Sequence, residues 1–507
     1  MNLLDILIAA PLLGFLITLM LPKGNAGLVK MFTLIFSIGV FAASLLLIGP
    51  VLERPAVMTW VTDAPWIGTP AIRYHVGMDG VSLWLVLLST LLTPISILLS
   101  WKYIDHRVKE FFAFLLLLEF GLIGVFVAVD LFLFYVFWEV CLVPMYFLIG
   151  IWGHDRRIYA AVKFFLYTMV GSVLMLAAIL YIYSKAGTFD YPALLLMMES
   201  GKFTMTHLEE TLLFLAFFLA FAIKVPLFPL HTWLPDAHVE APTAGSVMLA
   251  AVMLKMGTYG LLRFCLPMFP NASKENANWI VVLAITGIIF GALVALVQPN
   301  MKKLVAYSSV SHLGFVVLGL FSGNQWGLDG AVYVMLAHGI STGALFMLVG
   351  FLYERQHSLE IKDYGGVATP APWLSTVFLV TTLASIGMPM LNNFVGEFLV
   401  LQGASQINIW WAVFAATGVI LSACYMLWMY QRTFFGETPD SVKHHMHDLG
   451  AREWACIVPL LVLMVWMGIA AQSFLPSIGA SNKTIIDRTA LQTKSTTTHA
   501  EVSNHGR

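Results

Sequence analysis

Apolar runs long enough to cross a bilayer succeed one another along nearly the whole chain, separated by short polar connections. A helix needs about 20 such residues to span the hydrocarbon. The pattern predicts fourteen spans, near 3–21, 28–49, 78–101, 111–128, 131–152, 160–183, 211–232, 243–266, 278–298, 303–322, 327–352, 373–403, 410–434 and 454–475. The seventh is broken by Pro226 and Pro229, each of which removes a backbone donor and crowds the preceding turn. The twelfth is broken around Gly387-Met388-Pro389. The first run, Leu3 to Leu21, lacks a basic leader and a cleavage site and reads as a retained helix. The tail from Pro476 to Arg507, rich in Thr and Ser, reads as disordered. The expectation is an all-α polytopic membrane protein.

Composition supports that class. The chain is 59% hydrophobic and 11% charged, with a mean hydropathy of +0.84. Soluble domains are about 25% charged, so a water-soluble globular protein is excluded. The formal net charge of −1 points to no nucleic-acid partner. Cys141, Cys265, Cys424 and Cys456 are scattered, with no CxxC pair, and indicate neither a disulfide framework nor a metal cluster. Neither GxGxxG nor GxxxxGK[ST] occurs, so no nucleotide site is visible. Odd-numbered connections carry fourteen Lys and Arg and even-numbered ones six, Lys302 counted among the former and Arg263 among the latter. That bias places the odd connections in the cytoplasm and both termini outside.

The candidate chemistry gathers in Phe221 to Phe264, where Lys224 precedes the first break and Lys255 sits mid-way along the next span. An intramembrane lysine costs roughly 2.5–3.5 kcal/mol or more and normally faces a partner or a wet cavity. Snorkelling is the ordinary alternative for Lys255, but its position is too central for the stem to reach water easily. Glu139, mid-way along the fifth span, is the natural partner for Lys224. A carboxylate at ~4 Å contributes about 4 kcal/mol at an effective dielectric near 20, and desolvation of the ammonium opposes it with similar size. Approach or withdrawal of Glu139 would therefore decide whether Lys224 holds its proton.

The second break echoes the first: each is interrupted at proline and carries one ionisable residue beside the interruption, Lys224 in one and Glu397 in the other. They lie five spans apart, so the two halves run in opposite senses, as in ion-coupled transport folds. His312 and His338 sit on polar helix sides, with Ser308 and Ser311 before the first and Ser341 and Thr342 after the second. A histidine there relays protons or is simply satisfied by neighbouring serine or backbone. His231 and His238, near the first break, are second-rank pathway candidates against the reading of solvated loop residues.

The segments FWEVCLVPMYFLIGIWG (137–153), KVPLFPLHTWLPDAHVEAPTAGSVMLAAVMLKMGTYGLLRF (224–264), KKLVAYSSVSHLGF (302–315) and GMPMLNNFVGEF (387–398) resemble the antiporter-like membrane subunits of respiratory NADH:quinone oxidoreductase, complex I. AHVEAPTAGSV is closer to the M type (chain 4) than to the L and N types or to Mrp antiporters, and no amphipathic helix of the L kind is visible after the last span. The resemblance implies helices 1–3 (1–105), an inverted repeat of helices 4–8 (106–270) and 9–13 (271–440), and a last helix with tail (441–507). It puts the proton pathway on Glu139, Lys224, Lys255, His312, His338 and Glu397, with Glu139 gating, Lys224 loading, Lys255 relaying and Glu397 releasing. It further implies no cofactor in this chain, with NADH, FMN, iron–sulfur clusters and quinone on other subunits. The implied partners are L- and N-type subunits, the peripheral arm and the bilayer, in a bacterial plasma membrane. The rival functions are an Mrp-type cation/proton antiporter and a non-conducting membrane scaffold.

Overall fold

The computed structural model describes residues 2–22 and 24–504, with side chains as far as Thr489. Helices α1 (Leu3–Met20) and α2 (Ala26–Glu53) lead to an antiparallel hairpin, β1 (Thr59–Ile67) and β2 (Ile72–Met78). There follow α3 (Gly80–Leu99), α4 (Val108–Val127), α5 (Leu131–Trp152), α6 (Arg157–Ala186) and the short α7 (Tyr191–Glu199). The central elements are α8 (His207–Lys224), α9 (Trp233–Glu240), α10 (Thr243–Met268), α11 (Pro270–Leu296), α12 (Met301–Phe321) and α13 (Gln325–Gln356). The chain closes with α14 (Pro372–Ser385), α15 (Asn392–Ile407), α16 (Ile409–Phe434), α17 (Asp440–His445), α18 (Ala451–Ile469) and α19 (Leu475–Asn504).

Among the described residues, twelve helices are long and apolar enough to cross a membrane. The two runs expected to be broken are the interrupted pairs α8–α9 and α14–α15. The first interruption falls where Pro226 and Pro229 cannot continue the hydrogen-bond ladder. The second falls at Gly387, whose φ of +74° lies in the left-handed region that favours glycine.

Burial orders the bundle. The most apolar stretches of α10 and α13 are wholly buried and that of α12 nearly so, while α1, α2, α16 and α18 present most of theirs to the outside. Lipid tails are as apolar as leucine, so close backbone approach and polar contacts must hold the interior together. The α13–α15 crossing shows this. A Cβ on Gly330 would lie 2.6 Å from the Val400 nitrogen, and one on Gly396 2.8 Å from the Val334 nitrogen. Polar ties anchor the rest: Arg355 forms a fork on Glu453 at 2.8 and 2.7 Å, joining α13 to α18.

Three expectations need correction. The tail expected to be disordered is helical from Leu475 to Asn504, and only its residues 505–507 lie outside the described part. Its first turns are tied down: Trp84 Nε1 donates to Ser477 Oγ at 2.9 Å, Ser481 Oγ to the Pro55 carbonyl at 2.6 Å, and Asn482 Nδ2 to Asp329 Oδ1 at 2.8 Å. The same helix follows the last span, where the sequence predicts no amphipathic helix of the L kind. Its buried Ser477, Ile478, Ser481 and Ile485 recur at helical spacing within a segment whose average composition is polar. Arg263 and Lys302, taken as cations of connecting segments, are buried inside α10 and α12. Asn300 caps α12, so Lys302 already stands in its first turn.

The seam makes a prediction. Gly330→Ala should destabilise the solubilised protein by about 1–3 kcal/mol, the cost of overpacking, whereas Gly39→Ala, with nothing within 4 Å of its Cβ, should leave stability unchanged or raised. Thermal denaturation of both variants checks this; equal behaviour would contradict it.

Candidate functional site

The second interruption places Glu397 one and a half turns into α15, buried beneath Gly387. Its Oε1 lies 3.0 Å from Nδ1 of His312 on α12. A Cβ on Gly387 would come within 2.7 Å of its Oε2, so the glycine leaves room for the carboxylate as well as the turn. The start of α15 is pinned to α13 by Asn392 Nδ2, which donates to the Ala337 carbonyl at 2.9 Å, and by Asn393 Nδ2, which donates to Ser341 Oγ at 3.0 Å. These ties hold the Glu397 helix against the turn of α13 that bears His338.

His338 is fully buried. Its Nδ1 lies 2.7 Å from Nζ of Lys255, which also donates to the Ala250 carbonyl at 2.6 Å. Ala250 belongs to a π-helical turn, Leu249–Met253, that interrupts the regular pattern of α10 just before the lysine. Such bulges displace carbonyls from the ordinary ladder and recur at functional sites. The imidazoles of His338 and His312 stand 5.7 Å apart between ring centres. Both hydrogen-bonded ring nitrogens are Nδ1, and both Nε2 atoms are buried without a partner. Lys255, His338, His312 and Glu397 thus form one row of two hydrogen-bonded pairs, whose imidazoles are adjacent and each keep an unpaired Nε2.

The other two leading candidates stand apart from this row. Lys224 is buried, with Nζ 5.5 Å from the ring centre of Trp138 and 5.2 Å from that of Phe164. Cation–π contact stabilises a desolvated ammonium without neutralising it. Glu139 neighbours Trp138 in sequence, yet it makes no ion pair with Lys224, and its Oε1 is buried without a partner. The expected direct pairing is therefore absent from this conformation, in which the ammonium position is flanked by the two aromatic rings.

His231 and His238 are buried rather than solvated. His231 stacks on Phe228 at 5.6 Å. His238 stacks on Phe346 at 4.4 Å, and neither of its ring nitrogens has a partner. Near it lies a residue the sequence reading passed over. Lys302, 1% exposed, donates from Nζ to the Ala241 carbonyl at 2.7 Å, at the joint between α9 and α10. Lys163 on α6 ties the same region through Asp236 of α9, at 2.7 Å. Glu119 on α4 was also missed; it is fully buried beside Thr93 with no ion-pair partner, and a lone acid in an apolar run is the signal that marks it.

A row of this kind can move protons. Lysine, imidazole and carboxyl exchange protons over hydrogen-bond distances, and an imidazole can take one at one nitrogen and release one from the other. The described residues contain no group of three or more His, Cys, Asp or Glu arranged to hold a metal ion.

Comparison with known proteins gives the family. Residues 128–422 match the family model described as NADH:quinone oxidoreductase/Mrp antiporter, transmembrane. The chain is 46% identical over 492 residues to NADH-quinone oxidoreductase subunit M of Rhodobacter capsulatus, covering 95% of each sequence. It superposes on a chain of respiratory complex I from Thermus thermophilus with a TM-score of 0.87 and 32% identity, covering 96% of this chain and 99% of that one. A chain of the Mrp complex from Dietzia shares the fold, with a TM-score of 0.82, 21% identity and coverage of 97% and 99%.

Gly387 offers a test of the site's construction. Gly387→Ala should cost about 1–3 kcal/mol through left-handed backbone strain and push Glu397 away from His312. Thermal denaturation together with a structure of the variant checks this; an unshifted carboxylate at unchanged stability would contradict it.

Proposed function

The chain belongs to the NADH:quinone oxidoreductase/Mrp antiporter family, and we propose that it carries protons as an M-type subunit in the membrane arm of an NADH:quinone oxidoreductase. The observation that carries the proposal is the buried row Lys255–His338–His312–Glu397. Lys255 gives a proton to Nδ1 of His338, which releases one from Nε2. A single water spans the gap to Nε2 of His312, and His312 passes its Nδ1 proton to Glu397. Each passage inverts the tautomer of both rings, so tautomer exchange or ring rotation resets the row before the next proton.

Glu139 and Lys224 form the loading pair in this reading. Their separation here is the withdrawn arrangement, and closure past Trp138 brings the carboxylate to the ammonium. His238 and Lys302 provide the approach to Lys255 from the cytoplasmic side, His238 with two free nitrogens and Lys302 at the inner rim. His231 lies off this approach among Phe228, Phe290 and Tyr307. Redox chemistry, with NADH, FMN, iron–sulfur clusters and quinone, takes place on other subunits. The L- and N-type subunits and the peripheral arm are the partners that deliver its energy. The Lys and Arg bias places both termini on the periplasmic side of a bacterial plasma membrane, and the interrupted pairs count as one span each, giving fourteen.

In the intact complex reconstituted in vesicles, His338→Gln and Glu397→Gln should each reduce NADH-driven proton translocation roughly tenfold or more, the loss expected for removing a proton-transfer group. Translocation unchanged at equal assembly would defeat the proposal. Sodium-dependent exchange by the wild-type protein would instead favour an Mrp-type antiporter.

A further inference from the structure

Lys255 faces a second polar system that the row above does not use. On the same helix, Tyr259 lies one turn further along and Arg263 two turns. Tyr259 donates its hydroxyl proton to the Phe126 carbonyl at 2.9 Å and accepts from Arg263 Nε at 3.2 Å. Arg263 Nη2 donates to Asp79 Oδ2 at 2.6 Å, an ion pair whose side chains are only 7% and 6% exposed. Asp79 caps α3, and its Oδ1 accepts from the Val81 and Ser82 amides at 3.2 and 3.0 Å. Directly above this pair is a partly enclosed cavity of about 360 Å³ beside the β1–β2 hairpin, lined by Asp79, Arg263, His75 and Tyr191. Its remaining cation, Arg488, comes from α19.

We infer that Arg263, pinned by Asp79 and supported by Arg488, is an electrostatic seal that keeps protons in the outer cavity from returning to Lys255. The inference rests on the proposed pumping role and on the outward orientation of the hairpin. A pump needs such a barrier, because a lysine relay only about 12 Å from water along the helix would otherwise discharge backwards. Three features make this a barrier rather than an outlet. The guanidinium keeps its charge and cannot pass a proton on, and a fixed arginine in a pore repels protons. The Asp79 carboxylate is committed, one oxygen to two amides and the other to the guanidinium. The Tyr259 hydroxyl is committed to a backbone carbonyl, which ends the hydrogen-bonded route. With Asp79 offsetting the charge of Arg263, Arg488 leaves these three lining side chains net positive, which lowers the local hydronium concentration.

The test is passive proton permeation through the intact complex in vesicles, with a trapped pH dye, an imposed pH step, clamped potential and no NADH. Arg263→Gln keeps hydrogen bonding but removes the charge, and it should raise permeation roughly tenfold. Arg263→Lys keeps the charge but can release a proton, so its rate should fall between those of the wild type and Arg263→Gln. Adding Lys255→Met to Arg263→Gln should abolish the extra leak, because that leak passes through the relay. Arg488→Gln, on the peripheral helix, should give a smaller rise and serves if Arg263→Gln fails to assemble. A wild-type rate in the glutamine variants, or a leak indifferent to Lys255→Met, overturns the seal. NADH-driven pumping of the Lys255→Met single variant is read separately: if it is unimpaired the pumping role fails, whereas impaired pumping without a leak in Arg263→Gln removes only the seal.

Discussion

A single buried lysine sets the terms for the rest of the structure. Lys255 Nζ is lodged between the Ala250 carbonyl and His338 Nδ1, with no exposure to solvent. An unpaired charge there would cost several kcal/mol, so each neighbouring element supplies part of its accommodation. The π turn of α10 offers a carbonyl, and α13 brings the imidazole. Gly339 lets α13 come close, for a Cβ there would sit 2.7 Å from both the Ala251 carbonyl oxygen and a Leu88 methyl. The broken α14–α15 pair then adds Glu397 at the far end of the row, held by Asn392 and Asn393.

The two interruptions serve different ends. The second fixes the Glu397 carboxylate beside the His312 imidazole, although Asn392 Oδ1, Asn393 Oδ1 and Ser385 Oγ next to it are buried without partners. The first is looser in its chemistry: His238 and His231 keep unpaired buried nitrogens, Glu139 keeps an unpaired oxygen, and Lys224 rests on aromatic faces. Unsatisfied polar atoms in a low-dielectric interior are costly and mark places where another arrangement or water completes the bonding. Such places occur on both sides of the site, the unpaired Nε2 atoms of His338 and His312 among them.

Much of this was legible in the residues themselves. Prolines 226, 229 and 389 located both breaks, because a missing backbone donor cannot be hidden in a membrane helix. Lys255, His312, His338 and Glu397 stood out because ionisable groups at bilayer depth are rare, and the structure brings all four together. What escaped notice depends on depth and rotamer, which spacing along the chain does not encode. Arg263 and Lys302 sit within a turn or two of helix ends and resemble connection cations, yet partners from distant segments, Asp79 and Ala241, bury them. The Glu139–Lys224 pairing was plausible in register, but Lys224 rests against Trp138 and Phe164 instead. The helix from Leu475 was masked by a polar average that conceals a narrow buried stripe, and the β1–β2 hairpin lay in a connection with no apolar period of helical length.

The most direct test of the central claim, that Lys255 to Glu397 is one conducting row, is a high-resolution density map of the intact complex around His338 and His312. The account predicts an ordered water within hydrogen-bonding distance of both Nε2 atoms, joining the two hydrogen-bonded pairs. An apolar side chain or a dry gap between those nitrogens, in resting and turning-over complex alike, would contradict it.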